Sequence, residues 1–383
     1  ARLSMGGDSD GDGEEHARIE RLRTLPCWPE QPLQITRADQ LRQELRFGEG
    51  RSNLNYVVQA GCKQWFARIG DDLQLYGIRR EKEISAARLA ANLGVGPAVH
   101  HFEMGLLISE LVHGHALTDS DLRRALAGQD DSLLETLTAA LRKLHAAPLP
   151  PEFQTDLEEP LSWSPRDLHR WLAFARRERF SRLPVVQMAD EILPQLEHAA
   201  GPLSQVDDAP RFCHFDLLAD NIVLADSSES PRLFIVDYEY AQAGQPLADL
   251  AVLAMGCDAD DNTPDTATND NTATATANIT ATASANNTAA ATTSATAAAT
   301  ACSASTADAA LLCSYLQLPS ASPSLLRRFA ALKVVAALRE TLWGVVAELG
   351  GSAAIADAEA AAYTDVNWRK LRRLWTDFGA KHE

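Results

Sequence analysis

Two short motifs place polar and acidic side chains beside apolar runs that are typical of β-strands, and they constrain the fold more than any other feature. Residues 213–224 read CHFDLLADNIVL and residues 235–241 read IVDYEYA. A carboxylate near a protein core is costly unless a cation compensates its charge. We therefore expect these carboxylates to share one site with a cation.

The spacing H-x-D-x-x-x-x-N, formed by His214, Asp216 and Asn221, suits phosphoryl transfer. Asp216 can take or orient the proton of an acceptor hydroxyl, and Asn221 can lie at the other end of the same tight loop. Asp237 follows a second apolar run and adds an oxygen ligand of the kind that Mg²⁺ prefers. Residues of this type also form ordinary turns and caps, but the arrival of Asp237 favours a site for Mg²⁺ bound with ATP.

The segment FGEGRSNLNY (47–56) precedes a predicted strand and supplies candidate nucleotide contacts at Gly50, Ser52 and Asn53. Backbone amides in such a turn can cradle phosphates. A plain hairpin turn is the alternative interpretation.

Strand alternation in KQWFARI (63–69) places Arg68 on the same face as Gln64 and Phe66, so that its guanidinium can reach a cleft and hold phosphate oxygens. The alternative is a surface arginine. Its expected partner is Glu83, because the helical neighbours of Glu83 are small apolar residues that pack inward. Glu81 lies on a polar stripe and is expected to face solvent.

Composition limits the other classes of function. No apolar run approaches the roughly 20 residues that span a bilayer, and the first residues lack the apolar core of a secretory signal. The six cysteines are scattered, which favours a reducing, cytoplasmic setting over a disulfide framework. A net charge of −17 argues against nucleic acid and anionic membranes as partners.

The chain is predicted to be an α+β protein with two lobes, a small antiparallel-sheet lobe with one helix and a larger, mainly helical lobe. Residues 257–308 consist almost wholly of Ala, Thr, Asn, Ser and Asp, a composition that favours disorder. The predicted divisions are an acidic disordered tail (1–24), a nucleotide-binding N-lobe (25–112), a C-lobe with the catalytic and metal loops (113–256), the low-complexity insert (257–308) and acceptor-side helices (309–383). Ligands often bind where two such lobes meet.

CHFDLLADNIVL followed by FIVDYEYA resembles the choline/ethanolamine kinase family and its relatives, the bacterial thiamine kinases and aminoglycoside phosphotransferases. The likeness continues through EGRSN (49–53), REKEISAARLAANLGVGP (80–97) and SELVHGHAL (109–117). These families share a protein-kinase-like fold.

By this resemblance, Asp216 is the catalytic base, Asn221 and Asp237 bind Mg²⁺, and Arg68 paired with Glu83 holds the ATP phosphates. The backbone around Glu110 and Val112 receives adenine, and Asp249 braces the catalytic loop. His214 is expected to support the loop rather than to carry protons.

The acceptor is predicted to be a small cationic alcohol, because Glu239 and Trp343 offer an acid and an aromatic ring. Alternation places Glu239 on the cleft side with Asp237 if the strand persists. Trp343 corresponds to an aromatic residue of the acceptor pocket in choline kinases, although plain helix packing is an alternative. Choline, ethanolamine and thiamine fit comparably, and an aminoglycoside would require more acids.

Two other functions fit the sequence less well. A non-catalytic nucleotide-binding module of the same fold is disfavoured because the base and both metal ligands are present. A protein kinase is disfavoured because no A-P-E-like segment follows Asp237. The sequence does not reveal the oligomeric state.

Overall fold

A computed structural model describes residues 9–29, 31–41, 53–158, 165–200, 210–226, 232–257, 304–351 and 357–380. It has the predicted α+β architecture, in which an antiparallel sheet precedes a mostly helical remainder. None of the described helices combines the length and the apolar character that crossing a bilayer requires.

The N-lobe is built on a five-stranded antiparallel sheet with the order β1-β2-β3-β5-β4. Its strands are β1 (Leu33–Arg37), β2 (Leu54–Ala60), β3 (Lys63–Ile69), β4 (Val99–Glu103) and β5 (Leu106–Glu110). Alternation places Tyr56, Trp65 and Ile108 in a buried cluster on one face. The opposite face of β3 carries Phe66 and Arg68, which line a cavity.

The N-terminal segment differs from the sequence prediction, because helix α1 (Ser9–Arg23) forms where a disordered tail was expected. Ile19, Leu22 and Leu25 recur every three residues and pack into the cluster on the sheet, and Leu22 is fully buried. The Trp28 indole also donates a hydrogen bond to the Leu22 carbonyl at 2.6 Å. A narrow apolar stripe is enough for packing although the composition is strongly polar.

One helix, α2 (Arg80–Asn92), follows β3 in the N-lobe. It ends before Gly94, which has a positive φ of 69° and whose amide donates to the Ala91 carbonyl. Glycine adopts this conformation without steric penalty, which suits this position to the end of the helix.

The C-lobe surrounds a second, larger buried core. Its helices are α3 (Asp119–Leu126), α4 (Asp131–Ala146), α5 (Thr155–Glu158), α6 (Arg166–Arg177), α7 (Val185–Ala200), α8 (Pro246–Cys257), α9 (Ala304–Leu316), α10 (Pro323–Val346) and α11 (Asp357–Ala380), with a π-helical turn at Ala347–Gly351. Helix α10 is buried over most of its length and packs against α6, α7, α8 and α11.

Two small sheets carry the loops of interest. Strands β6 (Gly114–Ala116), β8 (Ile222–Ala225) and β9 (Arg232–Ile235) form one sheet, and β7 (Arg211–Cys213) pairs with β10 (Gln242–Gly244) in the other. Both motifs identified in the sequence therefore leave short strands and enter loops.

The predicted insert, 257–308, overlaps two helices. Cys257 closes α8, and α9 begins at Ala304, so the last residues of the proposed insert are helical. Asp308 forms an ion pair with the buried Lys333 of α10, with Oδ1 and Nζ 3.0 Å apart. This tertiary contact supports the start of α9 where composition alone favours disorder, and residues 258–303 lie outside the described part.

Candidate active site

The loop after β7 is held at its backbone by the carboxylate of Asp249, which lies in the first turn of α8. Its Oδ2 accepts a hydrogen bond from the His214 amide at 2.8 Å, and its Oδ1 accepts one from the Phe215 amide at 2.7 Å. His145 Nε2 adds a third contact at 2.9 Å. Burial favours the neutral acid, but the bond from His145 and the charges and amides around it outweigh burial and lower the pKa of Asp249. The carboxylate thus fixes the backbone that carries Asp216.

Asp216 and Asn221 meet at the two ends of this loop. The Asn221 side-chain amide donates to the Asp216 carboxylate oxygen Oδ2 at 2.9 Å and to its backbone carbonyl at 2.8 Å. A short 3₁₀ turn, Ala219–Asn221, brings the two residues together. The loop therefore presents one oriented carboxylate beside one amide oxygen.

His214 supports the loop through both ring nitrogens. Nδ1 accepts the Asp216 amide at 3.2 Å, so that Nε2 donates to the Val236 carbonyl at 2.9 Å. Burial lowers the pKa of His214, which favours this neutral form. These contacts agree with a supporting rather than a proton-carrying role.

The pKa of Asp216 is raised well above its ordinary value, first by the loss of water around the half-buried carboxyl and then by the charge of Glu340. The guanidinium of Arg339 acts in the opposite direction. A bound cation nearby would further favour the carboxylate form.

Arg68 joins the N-lobe to the loop after β9 that carries Asp237. Its Nη1 lies 2.7 Å from Glu83 Oε1 and 2.6 Å from Asp237 Oδ1. Glu83 is nearly fully buried, whereas Glu81 is exposed, so the expected choice of partner on α2 is confirmed. Asp237 adopts a positive φ of 66° just beyond β9, a conformation that non-glycine residues adopt mainly where the surrounding structure imposes it.

Glu239 does not lie on a strand, because β9 ends at Ile235. Its Oε2 accepts a hydrogen bond from the Asn53 side chain at 2.9 Å and lies 3.2 Å from Arg80 Nη1. Burial and the charge of Asp237 raise the pKa of Glu239 to about 7. The alternation argument for Glu239 therefore fails, and the structure places this residue in a buried link to Asn53 and Arg80.

The close packing of that link leaves little room for a side chain at position 70. A Cβ atom there would lie 2.4 Å from Asn53 Oδ1 and 2.9 Å from Arg80 Nη2. Any larger residue would displace the side chains that contact Glu239.

A cleft between the lobes has a cavity of about 160 Å³. It is lined from the N-lobe by residues that include Arg68 and Glu83, from the connection by Glu110 and Val112, and from the C-lobe by Asn221 and Asp237. The structure thus brings these six predicted residues to one cavity. Gly50 and Ser52 lie outside the described residues.

The donors in the cleft fit a hard divalent cation. Since the Asn221 amide nitrogen is directed to Asp216, its amide oxygen is the atom left for a metal. The Asp237 carboxylate lines the same cavity and already compensates a positive charge, that of Arg68. One amide oxygen and one carboxylate are a ligand set that Mg²⁺ commonly accepts from protein.

Trp343 lies on α10 and is almost buried within an aromatic cluster. Its indole donates to the Tyr240 hydroxyl at 2.8 Å, and its ring centre lies 5.0 Å from that of Tyr363 and 5.9 Å from that of Tyr76. Tyr238 and Tyr240 are both buried.

Sequence reasoning missed two charged groups near the site. Arg80 contacts both Glu83 and Glu239, and Arg339 with Glu340 lies inside the apolar run KVVAALRETLWGVV of α10. The available signal was the pair of opposite charges in the stretch 334–346, which has no other charged residue, because charges in such an apolar stretch require partners in the core.

Comparison with known proteins finds relatives that are similar in sequence to part of this chain. A probable choline kinase 3 from Arabidopsis thaliana is 26% identical over 210 residues, which cover 53% of this chain and 55% of the relative. Ethanolamine kinase 2 from Mus musculus is 28% identical over 180 residues, covering 44% and 42%, respectively. The chain therefore spans about half the length of the curated relatives it matches.

A solved structure of a choline/ethanolamine kinase family protein from Mesorhizobium loti has the same fold, with a TM-score of 0.57, 21% identity and coverage of 94% of both chains. Residues 44–279, more than half of the chain and including both motifs, match the family described as "Phosphotransferase enzyme family". On that match, together with the paired Asp216 and Asn221 and the cleft beside them, the chain belongs to the Phosphotransferase enzyme family.

Proposed function

We propose that the chain transfers the γ-phosphoryl group of ATP to the hydroxyl of a small cationic alcohol of the choline, ethanolamine or thiamine class. The observation that carries the proposal is the hydrogen bond from Asn221 to the Asp216 carboxylate, because Asn221 itself lines the cleft together with Arg68, Glu83 and Asp237. The names of the curated relatives support the acceptor class.

Asp216 is proposed as the group that orients the acceptor hydroxyl and receives its proton. The hydroxyl oxygen forms the new bond to the γ-phosphorus while the bond from that phosphorus to the β,γ-bridging oxygen breaks, and ADP leaves with that electron pair. The hydrogen bond from Asn221 holds one carboxylate oxygen, which leaves the other oxygen to face the acceptor.

Asn221 and Asp237 are proposed to hold Mg²⁺, which when bound neutralises charge on the phosphate oxygens. Arg68, fixed by Glu83, is proposed to contact the phosphates. The backbone at Glu110 and Val112 lines the cavity where adenine is proposed to bind, and Gly50, Ser52 and Asn53 are proposed phosphate-side contacts. Glu239 and Trp343 are proposed to contribute to binding of the acceptor. Glu239 would do so while it accepts the hydrogen bond from the Asn53 side chain.

A coupled ADP-release assay with Mg²⁺ and ATP tests the proposal, run with choline, ethanolamine, thiamine and an aminoglycoside. We expect acceptor-dependent ADP release with one of the first three, and its loss on chelation of the metal. Substitution Asp216→Asn should reduce kcat about 10³-fold while ATP binding changes less than about threefold, because general-base contributions fall in this range.

Asp226→Asn is the matched control, since Asp226 is exposed at the end of β8 and carries the same chemical change. Full turnover in Asp216→Asn would contradict the assigned base. Nucleotide binding with no turnover of any of the four acceptors would favour a non-catalytic module. Turnover of the aminoglycoside alone would show that the acceptor class is different from the one proposed.

A further inference from the structure

Arg80, the first residue of α2, is buried between two carboxylates. Its Nη1 lies 2.6 Å from Glu83 Oε2 on the same helix and 3.2 Å from Glu239 Oε2 in the loop after β9. Its Nε donates to the Asp71 carbonyl at 2.9 Å, and only 3% of Arg80 is exposed. These contacts fix the guanidinium, and a single nitrogen serves both carboxylates.

Glu83 divides its two oxygens between two arginines. Oε1 accepts a hydrogen bond from Arg68 Nη1 at 2.7 Å, whereas Oε2 accepts one from Arg80 Nη1 at 2.6 Å. The terminal torsion of a glutamate side chain has a broad minimum, so the contact with Arg80 helps to fix the orientation in which Oε1 faces Arg68. Arg68 and Glu83 both line the cleft, so this chain of contacts leads from Arg80 to the cavity.

A second chain of contacts leads from Arg80 to Asn53, which directly precedes β2. Glu239 Oε2, the atom that contacts Arg80, also accepts a hydrogen bond from the Asn53 side chain at 2.9 Å. Asn53, Arg68, Arg80 and Glu83 also line one small cavity of about 10 Å³. Arg80 thus contacts the partners of Arg68 and Asn53, the two described side chains that are proposed to face the phosphates.

Charge gives Arg80 a further effect on Arg68. Arg68 Nη1 already lies 2.7 Å from Glu83 Oε1 and 2.6 Å from Asp237 Oδ1. Without Arg80, the carboxylates of Glu83, Asp237 and Glu239 would share the guanidinium of Arg68. Coulomb attraction would then hold Arg68 more strongly and leave it less able to contact a phosphate.

We propose that Arg80 is a positioning residue for the nucleotide, which holds Glu83 and thereby keeps Arg68 available to the phosphates of ATP. The inference rests on the proposed function and adds a residue to its nucleotide side. Arg80 acts through Glu83 and needs no contact with the nucleotide itself. Its loss should therefore weaken binding of the nucleotide more than binding of the acceptor.

Calorimetry on the full chain with Mg²⁺ and AMP-PNP, a non-hydrolysable analogue of ATP, tests the proposal in the absence of an acceptor. Arg80→Gln should raise the Kd about tenfold or more, because Glu83 loses a charged hydrogen-bond partner. Arg80→Lys should raise it only about threefold, since an ammonium keeps the charge but lacks the planar fork of a guanidinium. An unchanged Kd in Arg80→Gln, or equal losses in the two variants, overturns the inference.

A second readout compares the two substrates in the ADP-release assay. In Arg80→Gln the KM for ATP should rise about tenfold, while the KM for the acceptor changes less than about threefold. A larger rise for the acceptor overturns the inference, because Arg80 would then act through Glu239. If the parent chain turns over but Arg80→Gln keeps the parent's Kd, the inference fails and the proposed function stands. If the parent shows neither ADP release nor AMP-PNP binding, both fail.

A double-mutant cycle tests whether Arg80 acts through Glu83. Arg80→Gln with Glu83→Gln removes one charge of each sign, so neither residue is left as an uncompensated buried charge. The Kd of the double variant should stay within about threefold of the Kd of Glu83→Gln alone. Losses that multiply would show that the two residues act independently, and they overturn the assigned route.

Arg23→Gln is the matched control, because Arg23 pairs with Glu20 at the same three-residue spacing on an exposed part of α1, with Nη1 and Oε1 2.6 Å apart. Its Kd should stay within about twofold of the parent. A loss as large as that of Arg80→Gln would show a general effect of the charge change and overturn the inference.

Should Arg80→Gln fail to fold, a crystal structure of the unchanged chain with Mg²⁺ and AMP-PNP is the second test. We expect Arg80 to remain on Glu83 while Arg68 contacts a phosphate oxygen. Separation of Arg80 from Glu83 in that complex overturns the proposal.

Discussion

Asp249 positions the loop that carries Asp216, the proposed base, through contacts with the loop backbone. Its two oxygens accept the amides of His214 and Phe215 and the imidazole of His145, and the residue is fully buried. Phe215 is held at a positive φ of 58°, a conformation that the two amide contacts help to impose. The position of Asp216 therefore depends on a carboxylate behind the loop.

Substitution Asp249→Asn should lower the free energy of unfolding by about 3 kcal/mol at neutral pH. An amide replaces one acceptor oxygen with a donor, which faces a backbone amide or His145 and leaves a buried group unsatisfied. Urea titration measures the change, and the exposed Asp226→Asn should alter stability by less than about 0.5 kcal/mol. Equal stability of the two variants would contradict the bracing role.

The same residue gives a pH dependence with a defined sign. The pKa of Asp249 in the folded state lies below its ordinary value of 3.8, so the ionised carboxylate contributes stability above 3.8 and loses it as the pH falls towards the folded-state pKa. The stability difference between the parent and Asp249→Asn should therefore be equal at neutral pH and at about pH 5, and should shrink below 3.8. A difference that is constant down to acid pH would refute this account.

Residues whose partners are close in sequence, or follow the period of one element, were predictable from the sequence. Asp216 and Asn221 lie on one loop, and Glu83 follows from the inward face of α2. Glu239 was misplaced because period-two reasoning fails where a strand ends, at Ile235. Arg339 was missed because its partner Asp167 is 172 positions away.

At the scale of elements, α2 is attached to the C-lobe by side chains along its first turns. Lys82 Nζ lies 2.5 Å from Asp156 Oδ1 and 5.2 Å from the centre of the Phe153 ring. The Ser85 hydroxyl donates to Glu152 at 2.7 Å. Asp156 also accepts the Ala243 amide beside β7, so these contacts connect the helix that carries Glu83 to the sheet that precedes the loop of Asp216.

A double-mutant cycle between Lys82→Met and Asp156→Asn should give a coupling energy of about 2 kcal/mol, because the two charges are largely buried and in direct contact. Urea unfolding of the four proteins measures it. A cycle between the exposed Arg79→Met and Asp156→Asn serves as the control and should give less than about 0.5 kcal/mol. A coupling near zero for Lys82 would indicate that α2 is not held at this point.

Element types were largely predictable because hydrophobic period determines them. The strands LNYVVQA and KQWFARI form β2 and β3 with the bounds of their apolar alternation. Helix α1 was not predictable from composition, since the stability of its narrow stripe comes from packing on a sheet that forms from residues distant in sequence.

At the scale of the whole molecule, the low-complexity segment separates two helices of one lobe. Helix α8 ends at Cys257 and α9 begins at Ala304, and both pack against α10. Replacing residues 258–303 with a short Gly/Ser linker should leave the melting temperature within about 3 °C and turnover within about twofold, because the composition provides little apolar surface to bury. Calorimetry and the ADP assay measure both quantities.

A slightly longer replacement, of residues 258–308, is the matched comparison. It also removes Asp308 and the first turn of α9, which should destabilise the chain by about 3 kcal/mol because the buried Lys333 loses this partner. Equal melting temperatures for the two replacements would contradict the boundary at Ala304.

Helix α10 supplies Arg339, Glu340 and Trp343, whereas the loop from His214 to Asn221 is fixed by Asp249 from another helix. On the proposed function, substitutions on α10 would alter the acceptor side while the loop of Asp216 stays in place. If the proposed roles hold, this separation would let a descendant acquire a new substrate through a few changes in a single helix, without first losing activity.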